Sequence, residues 1–236
     1  MTAPDQKTVP AASDNPGDEV EYRQSRFRPP PGATEFLLVR HGESAPARAS
    51  APFPLVDGQG DPDLAPQGRQ QAQRVGARLA TERIDAVYVT TLRRTVQTAE
   101  PLARRLGLVP KVEANLREVH LGEWEGGLFR KHVAENHPIA HRMRTEQRWD
   151  LIPGAEEAAA FAERVRAGVR HLAETHPGER VAVFTHGGVI GQILALAAGS
   201  QPFAFLGADN GSVSEIVVSG DTWIVRRFND TAHLAG

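Results

Sequence analysis

Two short apolar runs, each ending in His-Gly, constrain this 236-residue chain more than any other feature. Phe36-Leu37-Leu38-Val39 leads into Arg40-His41-Gly42-Glu43-Ser44, and Val181-Ala182-Val183-Phe184 leads into Thr185-His186-Gly187-Gly188. Runs of this length, bounded by Gly-containing polar turns, read as strands buried on both faces. In open parallel sheets ligands collect beyond the carboxyl ends of strands, so the two histidines are expected at one rim. An imidazole and a guanidinium there, beside glycines that let backbone approach closely, suit an oxyanion, and phosphate is the natural candidate. One strand ending in His-Gly fits a turn role as well as a functional one. The second copy, and the Arg that leads the first, shift the balance towards function.

The segments between the runs alternate. Residues 1–33, rich in Pro, Asp, Ser and Gln and closed by Pro29-Pro30-Pro31-Gly32, read as a flexible tail. Ala45 to Pro62 is proline-rich without period and reads as an irregular loop beside the first His-Gly turn. From Asp63 to about Thr81, apolar residues recur at three and four (Ala72, Val75, Gly76, Leu79), giving an amphipathic helix with Pro66 in its first turn. Ile84–Val89 predicts a strand, Leu92–Leu106 a helix stopped by Gly107, and Lys111-Val112-Glu113 a short strand. Glu156–Thr175 and Val189–Ala198 predict helices on either side of the His186 strand. Val213–Val218 and Trp223–Phe228, joined by Ser219-Gly220-Asp221, predict a hairpin at the sheet edge. The expected fold is α/β: a mainly parallel sheet with helices on both faces and an antiparallel C-terminal edge. It forms one domain over residues 34–230, with variable cap segments at 45–62 and 128–153 and a short tail at 231–236. The 128–153 stretch has no clear period; its His132, His137 and His141 fit a solvated helical face better than a metal site.

Composition narrows the ligand. A net charge of -2 provides no general basic field for nucleic acid, so anion recognition has to be local. Of 27 basic residues only Lys7, Lys111 and Lys131 are lysine, and arginine is the planar fork that phosphate prefers. The absence of cysteine removes disulfides, thiolate nucleophiles and the usual structural zinc sites. No apolar run reaches the length of a membrane span or a secretory core, so a cytoplasmic protein without a membrane partner is expected.

Four separated motifs together resemble the histidine phosphatase superfamily, the phosphoglycerate-mutase-like group. They are Leu38-Val39-Arg40-His41-Gly42-Glu43, Leu92-Arg93-Arg94-Thr95, Leu116-Arg117-Glu118 with Gly122-Glu123-Trp124-Glu125-Gly126, and Thr185-His186-Gly187-Gly188. The resemblance runs from about Glu35 to Phe228. It implies that His41 is a nucleophile that becomes transiently phosphorylated, and that Arg40, Arg94 and His186 hold the phosphoryl oxygens with Gly187 beside them. It implies that Glu118 is the proton donor, because Gly187 stands where another branch carries an aspartate. Arg94 is preferred to Arg93 on motif spacing alone, Arg93 being read as a surface charge. Asn210, within Ala208-Asp209-Asn210-Gly211-Ser212, is expected to orient the site from behind or to serve a turn. No metal or other cofactor is implied.

The implied activity is metal-independent hydrolysis of a small phosphomonoester at mildly acidic pH, with a homodimer left open. The mutases of the group carry an Arg-Arg-Pro-Pro-like stretch after the glutamate and a Trp-Asn element after Arg-His-Gly, and neither is present. Mutase activity is the alternative, and a non-catalytic phosphate-dependent binding protein a more distant one. Pro153-Gly154-Ala155-Glu156-Glu157 imperfectly resembles a phosphatase element. Arg48, Arg142, Arg144 and Arg148 sit in the cap segments; each reads first as a solvated surface charge, with contact to a carboxylate or second phosphate of the substrate as the alternative.

Overall fold

The computed structural model describes residues 21–48 and 50–235, so most of the expected N-terminal tail lies outside the described residues. β1 (Thr34–Arg40) is followed by a two-residue hairpin of β2 (Leu55–Val56) and β3 (Gln59–Gly60), then α1 (Pro66–Leu79), β4 (Ala86–Val89), α2 (Arg93–Leu106) and β5 (Lys111–Val112). Next come α3 (Leu128–Ala134), α4 (Pro138–Glu146), α5 (Ala158–Thr175), β6 (Arg180–Thr185), α6 (Gly187–Ala198), β7 (Val213–Ser219) and β8 (Thr222–Asp230).

The main sheet has the order β5-β4-β6-β1-β7-β8. β5, β4, β6 and β1 run parallel, whereas β7 pairs antiparallel with β1 and β8 antiparallel with β7. Neighbouring residues of β1 serve opposite faces, as strand geometry requires. Phe36 and Leu38 join Val181, Val183 and the apolar sides of α5 and α6. Leu37 and Val39 join Ala182, Phe184 and the apolar sides of α1 and α2. Each large side chain so buried contributes about 1.5–3 kcal/mol of transfer free energy, and the paired faces explain why the strands read as continuous apolar runs.

The expected hairpin, helices and parallel sheet are present, with ends displaced by a few residues. Two segments differ in kind. The 45–62 loop contains the β2/β3 hairpin, and the 128–153 stretch folds as α3 and α4. The histidines of that stretch do not form a solvated face: His132 and His137 pack against Trp124, with ring centroids 4.6 and 5.3 Å away, and only His141 is exposed. Beyond β8, the Leu234 carbonyl accepts from Arg74 on α1, and His233 Nε2 bonds the Gly211 carbonyl at 2.9 Å, so this last segment lies against the domain.

Candidate active site

Register brings the two histidines together. Arg40 pairs with Thr185 as the last couple of the β1/β6 ladder, so the following residues, His41 and His186, leave the sheet side by side. Their rings are 5.3 Å apart between centroids, and the side chains are almost fully buried, at 6% and 0% exposure. β4 ends at the same rim and passes through Thr90 into α2, whose first turn carries Arg94.

Hydrogen bonds select the tautomer of His41. Nδ1 lies 2.7 Å from the carbonyl of Gly42, which can only accept, so Nδ1 carries the proton and Nε2 keeps its lone pair. Arg94 Nε donates to that Nε2 at 3.3 Å. Burial first, then the charges of Arg94 and Arg40, hold the imidazole well below the usual histidine pKa, outweighing the Gly42 carbonyl. His186 is also held well below its usual value, by burial and then by Arg94, and its Nε2 bonds Thr90 Oγ1 at 3.0 Å. Arg40 donates to the Ala208 carbonyl while its Nε has no protein partner among the described residues.

The turn bearing the nucleophile candidate is locked from behind. Asn210 Nδ2 donates to the His41 carbonyl at 2.9 Å, and the Gly42 N–H donates to Thr98 Oγ1 at 3.0 Å. A Cβ on Gly42 would meet the Gly68 carbonyl at 2.5 Å, and one on Gly68 would meet the Glu43 carbonyl at 2.0 Å. Only two glycines let the start of α1 sit backbone to backbone on this turn.

Glu118 arrives from the loop after β5. Its carboxylate accepts from the Gly188 N–H at 3.2 Å and the Val119 N–H at 3.0 Å. A Cβ on Gly188 would stand 2.5 Å from Glu118 Oε1, so this glycine gives the carboxylate its place at the start of α6. The tighter approach is therefore at Gly188; a Cβ on Gly187 would meet Arg40 Nε at 3.3 Å. Behind Glu118, Arg164 on α5 donates to the Glu118, Arg117 and Asn115 carbonyls at 2.7–2.9 Å while paired with Glu156 at 2.6 Å. The Pro-Gly-Ala-Glu-Glu element thus acts through Glu156 to hold the loop.

Arg130 on α3 was not singled out by sequence. It donates to Ser44 Oγ at 2.6 Å and the Ala45 carbonyl at 2.8 Å, with its guanidinium over the ring of Phe53. Burial and the nearby charge of Arg40 lower its pKa. Its nearest signal in the chain is the Gly126-Gly127 pair before it, both at positive φ, which swings α3 over the site. Of the four cap arginines, only Arg48 lines the cleft beside His41. Arg142 and Arg148 pair with Glu146 and Asp150, and Arg144 donates to the Ala140 carbonyl. Arg93 is the surface charge expected, bonded to Asp61 at 2.8 Å.

Two hollows meet at His41. An inner cavity of about 270 Å³ reaches Arg94 and Glu118, and an outer cleft of about 750 Å³ opens between the 45–52 loop and α3. Arg40, Arg94 and Arg130 face this space with no carboxylate partner within 4.0 Å among the described residues, an arrangement built to receive an anion. Among the described residues no group of three or more His, Asp or Glu side chains is placed to hold a metal ion, and no helix is long and apolar enough to cross a membrane.

Fold and site together define an α/β protein with an arginine and histidine pocket for an oxyanion at the carboxyl edge of its sheet. Residues 36–231 match the histidine phosphatase superfamily (branch 1), and the chain belongs to that family. It is 35% identical to a metal-independent phosphoserine phosphatase of Arabidopsis thaliana, over 86% of this chain and 84% of that one. It is 33% identical to phosphoglycerate mutase-like protein 4 of the same plant, over 85% and 86%. The structure of a mycobacterial glucosyl-3-phosphoglycerate phosphatase superposes with a TM-score of 0.70 at 26% identity, over 84% of this chain and 100% of that one.

Proposed function

We propose that this chain hydrolyses the phosphomonoester of a small metabolite through a phosphohistidine at His41, without a divalent cation. The observation that carries the reading is the bond from His41 Nδ1 to the Gly42 carbonyl, which leaves Nε2 as a free base in a pocket of guanidinium groups. An incoming phosphoryl oxygen takes over the Arg94 donor and uncovers the Nε2 lone pair. Nε2 then bonds phosphorus as the ester P–O bond breaks, and Glu118 delivers its proton to the leaving oxygen. In the second half Glu118, now a carboxylate, takes a proton from water. The water oxygen bonds phosphorus, the N–P bond breaks and inorganic phosphate leaves. Arg40, Arg94 and His186 hold the equatorial oxygens throughout, and Arg130 adds positive charge at the mouth.

Relatives named as phosphatases support hydrolysis, and so does the open outer cleft beside His41. A mutase has to keep water from its phosphohistidine, whereas a hydrolase has to admit it. The test is phosphate release from p-nitrophenyl phosphate with chelator present, together with a base-stable, acid-labile phosphoryl label after rapid quenching. Both should vanish in His41→Ala, turnover falling about 10⁴-fold or more with the fold kept. Undiminished release by that variant removes His41 as nucleophile, strict dependence on added metal overturns the mechanism, and isomerisation of 3-phosphoglycerate without release makes the protein a mutase.

A further inference from the structure

The inner cavity adds a statement about the leaving group, resting on the hydrolase reading above. A proton donor has to touch the oxygen it protonates, and Glu118 lines the inner cavity but not the outer cleft. The carbon skeleton next to the ester oxygen therefore starts in the inner cavity. Besides the polar Gln59 and Glu125, its wall carries an apolar, largely aromatic set: Phe53, Leu121, Trp124, Phe129 and Trp149. The Phe129 ring lies 6.3 Å from Trp124 and 6.1 Å from Trp149 between centroids, inclined to them by 48° and 51°, so it links the two indoles. Trp124 and Trp149 are anchored in the core, whereas Phe129 and Phe53 stay half-buried. Charged groups share the cavity: the Glu125 carboxylate accepts from the Gly60 and Leu121 N–H groups at 2.7 and 2.8 Å. Arg40 and Arg94 stand beside His41, and Arg130 bonds Ser44 and Ala45 at the mouth.

We infer that the preferred substrates are phosphomonoesters of alcohols that carry an uncharged, planar ring close to the ester oxygen. Stacked on this wall, the ring removes apolar surface from water and gains the offset or edge contacts that aromatic pairs favour. A compact, strongly hydrated leaving group such as serine or glycerate covers none of these rings and leaves them wet. The bond changes are those of the displacement above: the ester P–O bond breaks, Nε2–P forms, and the proton of Glu118 ends on the ring-bearing alcohol.

The full-length chain is assayed with chelator on benzyl phosphate, ethyl phosphate, O-phosphoserine and 3-phosphoglycerate, with p-nitrophenyl phosphate as the control for hydrolysis itself. Benzyl and ethyl alcohols have similar acidity, so their ratio reports recognition rather than intrinsic reactivity. The expected result is a kcat/KM for benzyl phosphate about tenfold or more above the other three alkyl esters. Phe129→Ala should lose about tenfold more on benzyl than on ethyl phosphate, chiefly through KM, with Phe53→Ala acting in the same direction and Phe129→Leu restoring part of the difference. α3 buries no residue fully, so truncation at Phe129 spares the sheet. Hydrolysis of p-nitrophenyl phosphate accompanied by preference for phosphoserine or 3-phosphoglycerate overturns this inference alone, as does an equal loss on benzyl and ethyl phosphate in Phe129→Ala. Failure of the wild type to hydrolyse p-nitrophenyl phosphate overturns the hydrolase reading and this inference with it.

Discussion

The rim formed by β1, β4 and β6 and the cap helix α3 meet at the hollows beside His41, yet they are held by different forces. At the rim, His41, Arg94, Thr90 and His186 are buried just beyond the ends of parallel strands and bonded together: His41 to the Gly42 carbonyl, His186 to Thr90 Oγ1, and Arg94 to His41 and the Gly60 carbonyl. In the cap, α3 has no fully buried residue, and Arg130 reaches the site from an exposed helix through two bonds to the 44–45 turn. Groups that must meet a reacting atom within tenths of an ångström stand on the rigid part, while the part that meets the variable half of a substrate rests on less.

Substitutions can sharpen or break this contrast. Glu118→Gln keeps the shape of the acid and removes its proton. Turnover of alkyl esters should fall about 10²- to 10⁴-fold, with a smaller loss on p-nitrophenyl phosphate, whose leaving group needs less protonation. Equal losses on both would remove Glu118 as the acid. Arg94→Ala, at the rim, should lower kcat/KM about 10²- to 10³-fold, whereas Arg130→Ala in the cap should cost about tenfold. If steady-state kinetics show the two losses equal, the division between rim and cap fails.

The smallest effect is on stability. His41 and His186 are neutral in the folded chain, because burial and neighbouring arginines depress their pKa values, but they take up protons near pH 6.5 when unfolded. The unfolded state then binds more protons, so stability is full above about pH 6.5 and declines as pH falls towards the depressed folded values. The decline is at most about 1.4 kcal/mol per pH unit for each histidine. His41→Asn, which can still donate to the Gly42 carbonyl, should reduce the fall in melting temperature between pH 6.5 and 5. An unchanged slope would show that His41 titrates alike in both states.

The same contrast explains what the chain reveals when read by itself. The strands are legible because burial on both faces leaves an unbroken apolar run, and Arg40, His41 and His186 follow directly from where those runs stop. Arg94 needed the spacing of a whole motif, since Arg93 beside it has the same chemistry and only the turn of α2 separates a pocket from Asp61. The cap was not legible: α3 buries no residue fully and the short α4 only Ala140 and Met143, too few for a readable apolar period, and an arginine on such a helix reads like any solvated charge. Gly188 was passed over for a different reason. Its importance lies in a contact with Glu118, seventy residues away in the chain, that no local pattern encodes.

The contact of Gly42 with Gly68 has a consequence for how the molecule can change. The turn bearing the nucleophile candidate is keyed into α1 backbone against backbone, and Gln71 of the same helix accepts from the Glu43 N–H at 2.8 Å. β3 belongs to this fixed part, because the Gly60 carbonyl accepts from Arg94 at 2.9 Å and Gln59 donates to the Glu118 carbonyl at 2.7 Å, whereas the 45–52 loop and α3 can be resurfaced to suit another alcohol while the phosphorus-handling groups stay in register. The chemistry is thereby tied to the sheet, α1 and β3, and the choice of substrate to the surfaces that lie outside them.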